Sequence, residues 1–476
     1  MICETLPPAG PCLFPLSVSQ TLSAASTVRE WKMRLDRTNS LTEFHSDCWN
    51  EFLASKDTSQ VLVFLASSQA DLLREIGLFE RTWETCLAQG RDWKTPAGSC
   101  FTPGPLGSET SVAFVYPGIG SLYPRYCQEL LALIPDALHG LPAVSAVEMM
   151  ATIHPEDLWE WPMTAPEHEW PLYRDIVAQA ESTVSLAYVC TSLLQQRFNL
   201  RPSMALGYSL GELAMFASCG CWSCPQELST RFRQSPAFRD QLGGRLTVFD
   251  GSVAGSSGHR QSWRNYVVPL PRPLESLSRP EASSVYVTHI NSAREIVVAG
   301  PMEQVEIWLR ENCLSASVLP SRLVYHCQVV APVAEELMSL FDLPLSPRTG
   351  VEFVSMAPFG RIPHQSRAIA RTLVNTALRT VDFPEIVDAT YLRGARIFVE
   401  IGPRNACSSW IHSILGEKPH LAASIDQKGM PMTASLSRLL AQLLSHKVPM
   451  STIEVSRWSQ SVLAGEPFTR PSQTAR

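Results

Sequence analysis

Apolar residues along the chain gather into short continuous runs separated by stretches of helical periodicity, and this alternation predicts an α/β architecture. Near the N-terminus, Cys12-Leu-Phe-Pro-Leu-Ser-Val-Ser reads as a short strand and Thr21 to about Thr38 as a helix. Gln60-Val-Leu-Val-Phe-Leu-Ala reads as a buried strand followed by a helix through Arg81. Gly98 to Gly107, rich in Pro, Gly and Ser, reads as a connector. The pattern changes at Val112 to Tyr116, a continuous apolar run that breaks into Pro117-Gly118-Ile119-Gly120. Such a run fits a parallel strand covered on both faces, and its glycine loop then lies at the strand's C-terminal end, where open α/β sheets hold ligands.

Pro124 to Ser203 reads as largely helical, interrupted by a Trp-rich patch at His154 to Pro171 whose Trp159, Trp161 and Trp170 anchor a long connection rather than form a ligand platform. Leu172 to Phe198 reads as one long helix with Ile176, Val184, Leu186, Leu193 and Leu194 on its apolar side. It feeds the short strand Met204-Ala-Leu, after which a helix runs to Gly220. Pro225 opens another helix, carrying Arg231 and Arg233, before Pro236 stops it. Gly251 to Gly258 is loose and polar, and Arg272 to Ser284 is rich in Pro and Ser. Then follow Val285-Tyr-Val-Thr-His-Ile, a turn at Asn291-Ser292, Glu295-Ile-Val-Val-Ala-Gly, a helix from Pro301 to Asn312 and Ala316-Ser-Val-Leu. That order of strand, strand, helix, strand suggests a small ferredoxin-like insertion forming one wall of a cleft. Val351 to Met356, helices around Arg367 to Arg379 and Pro384 to Leu392, and the strand Ile397-Phe-Val-Glu-Ile return to doubly wound α/β grammar.

These elements divide the chain into a small α/β module at 1–105, a large subdomain at 106–242 and 324–446, the insertion at 243–323 and a surface tail at 447–476. A length of 476 residues requires such a division, because one core does not grow that large. The formal net charge of -6 argues against nucleic acid as a partner. Thirteen cysteines read as small buried hydrophobes in a reducing compartment; the Cys219, Cys221, Cys224 cluster holds the one Cys-x-x-Cys spacing, has no matching His or Cys group nearby to complete a tetrahedral site and reads as packing, and no metal is expected. The N-terminal residues lack a basic region followed by an apolar one, and no apolar run reaches the roughly 20 residues of a membrane span. A cytoplasmic location is the expectation.

The candidate chemistry centres on Gly207-Tyr208-Ser209-Leu210-Gly211. A serine flanked by glycines between a strand and a helix is the pattern of a nucleophile elbow, and the helix start turns free N–H groups and a positive dipole end toward an oxyanion. The Gly118-Ile119 loop can supply a second N–H to such a hole. His326, directly after the insertion, is a histidine that is either structural or the partner of the serine. Arg231 and Arg233 lie about 200° apart on their helix, so at most one of them faces the serine.

The order Phe114-Val-Tyr-Pro-Gly-Ile-Gly, Gly207-Tyr-Ser-Leu-Gly-Glu, Asn291-Ser-Ala-Arg-Glu-Ile-Val-Val-Ala-Gly, Tyr325-His-Cys, Phe398-Val-Glu-Ile-Gly-Pro resembles the malonyl-CoA:acyl-carrier-protein transacylases and the acyltransferase domains of polyketide and fatty-acid synthases. The N-terminal module resembles the linker between ketosynthase and acyltransferase in those synthases. Tyr-Pro-Gly, Gly-Tyr-Ser and Arg-Gln-Ser-Pro-Ala-Phe are most similar to the stand-alone acyltransferase subunit of polyunsaturated-fatty-acid synthases. The resemblance implies an α/β-hydrolase-like large subdomain with a parallel sheet and an inserted ferredoxin-like small subdomain.

It also implies a ping-pong acyltransferase with no bound cofactor. Ser209 would take an acyl group from acyl-CoA and His326 would act as base. The N–H groups of Ile119 and Leu210 would hold the oxyanion, and the phosphopantetheine thiol of an acyl carrier protein would receive the acyl group. The histidine is expected to be oriented by a backbone carbonyl of the Gly402 to Asn405 turn. Ile119 departs from the family's usual Gln, which leaves the main-chain donor but removes any contribution of that side chain to substrate fit. An arginine about 25 residues after the serine holds the malonyl carboxylate in family members; straight counting reaches Gln234, so Arg233, less readily Arg231, is the candidate. Gly118, Tyr208, Tyr325 and Asn291 would line the pocket, with bulky Tyr325 favouring unbranched malonyl. Arg231, Arg239 and Arg245 are candidates for a basic surface toward an acidic carrier protein, and other synthase subunits such as a ketosynthase are expected partners. The competing readings are an acyl-thioester hydrolase using the same pair and a non-catalytic synthase subunit.

Overall fold

The computed structural model describes residues 10–19, 24–38, 40–55, 59–107, 110–135, 170–225, 227–249, 262–278, 284–320, 322–356 and 362–469. Most of the Trp-rich patch and the loose stretch Gly251 to Gly258 lie outside the described residues.

The N-terminal module contains strand β1 (Cys12–Val18), helices α1 (Ala24–Leu35) and α2 (Leu41–Ala54), strand β2 (Gln60–Ala66), helix α3 (Gln69–Ala88), and the short strands β3 (Trp93–Lys94) and β4 (Cys100–Phe101). They form an antiparallel sheet in the order β1-β2-β4-β3. Pro15 is tolerated inside β1 because that strand lies at the sheet edge, where a missing N–H breaks no interior ladder. The supposed connector at Gly98 to Gly107 contains β4, a pairing of two residues too short to leave a periodic signal.

The large subdomain begins with β5 (Ser111–Tyr116) and α4 (Pro124–Leu133). The single long helix expected over Leu172 to Phe198 is divided. A 3-10 turn at Pro171–Arg174 precedes α5 (Ile176–Ser192), and a wider π turn follows at Leu193–Arg197. The break has a local cause, since the Asp175 carboxylate accepts the Val177 and Ala178 N–H groups at 3.0 Å and so caps a new helix. Next come β6 (Met204–Gly207), α6 (Gly211–Ser218) and α7 (Glu227–Gln234).

The inserted segment contributes β7 (Trp263–Pro269), β8 (Tyr286–Ser292), β9 (Glu295–Pro301), α8 (Met302–Glu311) and β10 (Ser317–Val318). The chain returns through α9 (Ala334–Phe341), β11 (Glu352–Val354), α10 (Ser366–Leu378), β12 (Val381–Asp382), α11 (Phe383–Leu392), β13 (Ala395–Glu400), α12 (Ala406–Leu415) and β14 (Leu421–Ser424). It ends in α13 (Met432–Ser445) and α14 (Thr452–Ala464). The central sheet is wholly parallel in the order β11-β6-β5-β13-β14. Its buried strands explain the continuous apolar runs of β5 and β13.

The second five-stranded sheet has the order β10-β7-β9-β8-β12. Three of its features depart from the sequence pattern. β7 pairs along its full length with β9 although Arg264 and Asn265 interrupt its apolar pattern, and β12, from beyond the insertion, pairs in parallel with β8. β8 also runs through Asn291 and Ser292, where a turn was expected, and the chain reverses at Ala293-Arg294.

The C-terminal stretch differs most from its expectation. Instead of a surface tail, α14 packs on the N-terminal module: Ser459 Oγ receives the Leu13 N–H at 2.8 Å and lies 2.7 Å from His45 Nε2. Trp458 is 1% exposed and donates to Ser437 Oγ at 3.1 Å. Trp458→Ala is therefore expected to destabilise the protein by about 3–5 kcal/mol, the usual cost of removing a buried aromatic side chain. Chemical denaturation checks this, and a midpoint matching the parent protein would mean that α14 contributes nothing to the core.

Candidate active site

The turn after β6 is built by crowding. A side chain at Gly207 would overlap the backbone of Gly211 and Glu212, and one at Gly211 would overlap the Tyr116 carbonyl oxygen on β5. Two glycines therefore let α6 start directly against the sheet. Between them Ser209 takes φ +57, a left-handed conformation that costs a non-glycine residue energy and holds the hydroxyl out of the turn. His326 is also left-handed, at φ +58.

The two residues, 117 positions apart in sequence, meet at 2.7 Å from Ser209 Oγ to His326 Nε2. His326 Nδ1 lies 2.7 Å from the Thr376 carbonyl oxygen. A carbonyl only accepts, so Nδ1 carries the proton and the Nε2 lone pair faces the serine hydroxyl. Thr376 lies in the last turn of α10, where helix carbonyls lack intrahelical partners, and the C-terminal end of the helix dipole favours the imidazolium that a base becomes. The orienting carbonyl thus comes from α10 and not from the Gly402 to Asn405 turn. That turn instead braces the loop after β5: Gly402 packs on Pro117, and Arg404 Nε donates to the Ser121 carbonyl at 3.0 Å.

Gly118 fits directly against the elbow, since a Cβ there would come within 3.1 Å of the Tyr208 ring and carbonyl. Ile119 opens a single 3-10 turn and Leu210 caps α6, so neither N–H can be satisfied inside its own helix. Both donors sit on loops that converge at Ser209.

One wall of the site is a chain of polar contacts on aromatic rings. Tyr208 Oη donates to Asn291 Oδ1 at 2.6 Å, and Asn291 Nδ2 donates to Glu295 Oε1 at 2.8 Å. Trp410 Nε1 donates to the same oxygen at 3.1 Å. The Tyr208 ring packs on Trp410, His289 and Phe383 with centroids 4.9, 5.2 and 5.5 Å away. Tyr325 packs against His326 and Phe238. His289, which no sequence motif marks, meets His326 edge to face at 4.6 Å. Strand alternation gives no clean signal for it, because the register of β8 against β9 shifts between Val287 and His289 and between Ile290 and Ser292; in the folded strand His289 and Asn291 both reach Tyr208.

The arginines stand apart from this cluster in their bonding. Arg233 Nε and Nη2 donate to the two Glu181 oxygens at 2.7 and 3.0 Å, while Arg231 Nη1 donates to carbonyls of Ser339, Leu340 and Asp342 at the end of α9. Arg239 and Arg245 both pair with Asp240. Among the described residues no group of His, Cys, Asp and Glu is placed to hold a metal ion, and no helix is long and apolar enough to cross a membrane.

Burial pushes the His326 imidazole down to about 4, opposed only by the Thr376 carbonyl, and burial beside His326 holds His289 well below the ordinary histidine range. Only the neutral ring can accept a proton, so a lowered value keeps the imidazole in that form into mild acid, and the form is lost only as pH falls through about 4. The rate of Ser209 labelling by a fluorophosphonate, followed by intact mass, should then change less than about two-fold between about pH 8 and about pH 5.5, whereas a histidine of ordinary pKa would lose about nine-tenths of its neutral form. A midpoint near the ordinary value would show that the imidazole is hydrated.

No family model matches the chain. In sequence it is 26% identical over 413 residues to a subunit of the polyunsaturated fatty acid synthase of Thraustochytrium sp., covering 82% of this chain and 20% of that protein. It is 24% identical over 290 residues to the phthioceranic/hydroxyphthioceranic acid synthase of Mycobacterium tuberculosis, covering 59% of this chain and 12% of that one. The chain thus spans a fifth or less of the length of these relatives. In fold it matches the acyltransferase domain from module 8 of the salinomycin polyketide synthase at TM-score 0.68, with 16% identity and 97% and 98% of the two chains covered. It also matches the malonyl CoA-acyl carrier protein transacylase of Coxiella burnetii at TM-score 0.55, with 17% identity and 72% and 99% covered. The chain is therefore similar in sequence to the polyunsaturated-fatty-acid and polyketide synthases, and its α/β fold of large and small subdomains is that of the acyltransferase domains and malonyl-CoA:acyl-carrier-protein transacylases.

Proposed function

We propose that the protein is an acyl-CoA:acyl-carrier-protein S-acyltransferase of the malonyl-transferring type, working through a seryl ester on Ser209. The observation that carries this reading is the 2.7 Å contact of Ser209 with the one unprotonated nitrogen of a buried histidine. Ser209 Oγ attacks the thioester carbonyl while its proton passes to His326 Nε2. The tetrahedral oxyanion is received by the N–H groups of Leu210 and Ile119. The C–S bond then breaks, the imidazolium returns its proton to the departing CoA sulfur, and the acyl group stays on Ser209. In the second half, His326 takes the proton of a carrier protein's phosphopantetheine thiol, the thiolate attacks the ester, and the serine recovers its proton. The chain binds no cofactor in this scheme. Its partners are the carrier protein, approaching a basic surface that includes Arg231, Arg239 and Arg245, and other synthase subunits such as a ketosynthase. Gly118, Tyr208, Tyr325 and Asn291 shape the acyl pocket.

Arg233 is the proposed carboxylate clamp. Glu181 occupies its Nε and Nη2 edge and leaves Nη1 for a malonyl carboxylate, with Glu181 acting to aim the guanidinium. The same ion pair favours a second reading, in which Glu181 neutralises Arg233 and the site prefers an uncharged acyl group. Glu181→Gln separates the two, because loss of aim lowers the ratio of malonyl to acetyl adduct on Ser209, whereas release of a neutralised arginine raises it. A change of about 10-fold either way is expected from the loss or gain of one charge-assisted contact.

The parent experiment is intact-mass analysis after mixing with malonyl-CoA, acetyl-CoA and longer acyl-CoAs, followed by holo carrier protein. A malonyl adduct that is absent in Ser209→Ala and passes to the carrier thiol is the expected result. Free CoA accumulating with no adduct and no acylated carrier would point to the hydrolase, and no reaction with any thioester to a non-catalytic subunit.

A further inference from the structure

Behind the serine and histidine lies a buried carboxylate for which the proposed mechanism has no use. Glu212, the third residue after Ser209, is 0% exposed in the first turn of α6. Its Oε2 accepts the Thr376 hydroxyl at 2.6 Å, its Oε1 accepts the Ser355 hydroxyl just beyond β11, and the Met356 backbone also hydrogen-bonds to it. An unpaired carboxylate buried this deeply costs several kcal/mol unless it is fully hydrogen-bonded, so its partners cannot be given up cheaply. One partner matters for chemistry. Thr376 is the residue whose carbonyl receives His326 Nδ1–H, so its hydroxyl is held by Glu212 and its carbonyl holds the base.

The end of α10 needs such a hold. A last helical turn has no intrahelical acceptor bonds and frays readily, and Thr376 Oγ1 has only the 3.2 Å bond to the Thr372 carbonyl as an alternative anchor. A second tie lies just downstream, where Thr380 Oγ1 donates to the Val287 carbonyl at 2.7 Å and β12 joins β8. Glu212 is the tie that comes from the elbow helix itself. It therefore references the position of the base to the same turn that carries the nucleophile.

We propose that Glu212 is a positioning residue for the Ser209–His326 pair: by binding the Thr376 hydroxyl it fixes the last turn of α10 so that the Thr376 carbonyl keeps the imidazole aligned on Ser209. This inference rests on the reading of Ser209 and His326 as nucleophile and base, and it is independent of which acyl group is carried. It makes the acid of this site an indirect one, acting through a main-chain carbonyl instead of touching the imidazole.

The test uses the full chain and a fluorophosphonate, which reports Ser209 nucleophilicity without needing the acyl donor. Thr376→Val keeps the shape and the carbonyl but removes the hydroxyl, and it should label about 10-fold more slowly, since misplacement of a catalytic group by a fraction of an ångström to an ångström costs 10- to 100-fold. Thr376→Ser restores the hydroxyl and should label within about two-fold of the parent. Glu212→Ala and the Glu212→Ala/Thr376→Val double variant should be equally slow, because both act through one bond. Parent-like labelling of Thr376→Val overturns the proposal, as does a Thr376→Ser variant as slow as the valine. Those two variants decide the matter even where Glu212→Ala fails to fold, and absence of labelling in the parent protein would instead sink the nucleophile and base reading itself.

Discussion

The site depends on a steric constraint between β5, β6 and the start of α6. Because the Tyr116 carbonyl leaves no room for a Cβ at Gly211, and the α6 backbone leaves none at Gly207, the helix begins hard against the parallel sheet. That contact forces the intervening Ser209 into a left-handed conformation and keeps the Leu210 N–H at a helix start, free of intrahelical bonds. The same closeness brings the Gly118 loop onto Tyr208, so two loops at the C-terminal edge of adjacent parallel strands share one point in space.

Around that point the fold assembles parts from distant segments. His326 follows the inserted subdomain, its orienting carbonyl comes from the end of α10, and β12 immediately after α10 completes the small sheet beside β8. β8 in turn carries His289 and Asn291, which face Tyr208 of the elbow. The small sheet, the α10 terminus and the elbow are therefore linked by a closed set of short contacts. The insertion is joined to the large subdomain through β12 as well as through its two ends.

Much of the α/β organisation was legible because buried parallel strands leave continuous apolar runs, as in Val112 to Tyr116 and Ile397 to Glu400. β7 was hidden by Arg264 and Asn265, whose polar groups find partners in the folded chain: Arg264 Nη1 donates to the Trp263 carbonyl at 2.8 Å and Asn265 Nδ2 to the Leu323 carbonyl at 3.1 Å. α14 reads as a tail although Val455, Trp458 and Val462 repeat at helical spacing, because an amphipathic stretch does not say what covers its apolar side. The burial of these residues arises from packing on β1 and α2, nearly the whole chain away, which local periodicity cannot report.

The sequence by itself determined the local conformations that chemistry needs at the glycine-flanked serine and the loop after β5, because each follows from steric and capping rules acting over a few residues, whereas it left the role of His326 open. Tertiary structure alone decided which carbonyl orients the histidine, that Glu212 holds that carbonyl's residue, and that Arg233 is engaged by Glu181. A carbonyl oxygen carries no mark in a sequence, since every residue has one; only the end of a helix arriving at the right place makes that of Thr376 different from the others.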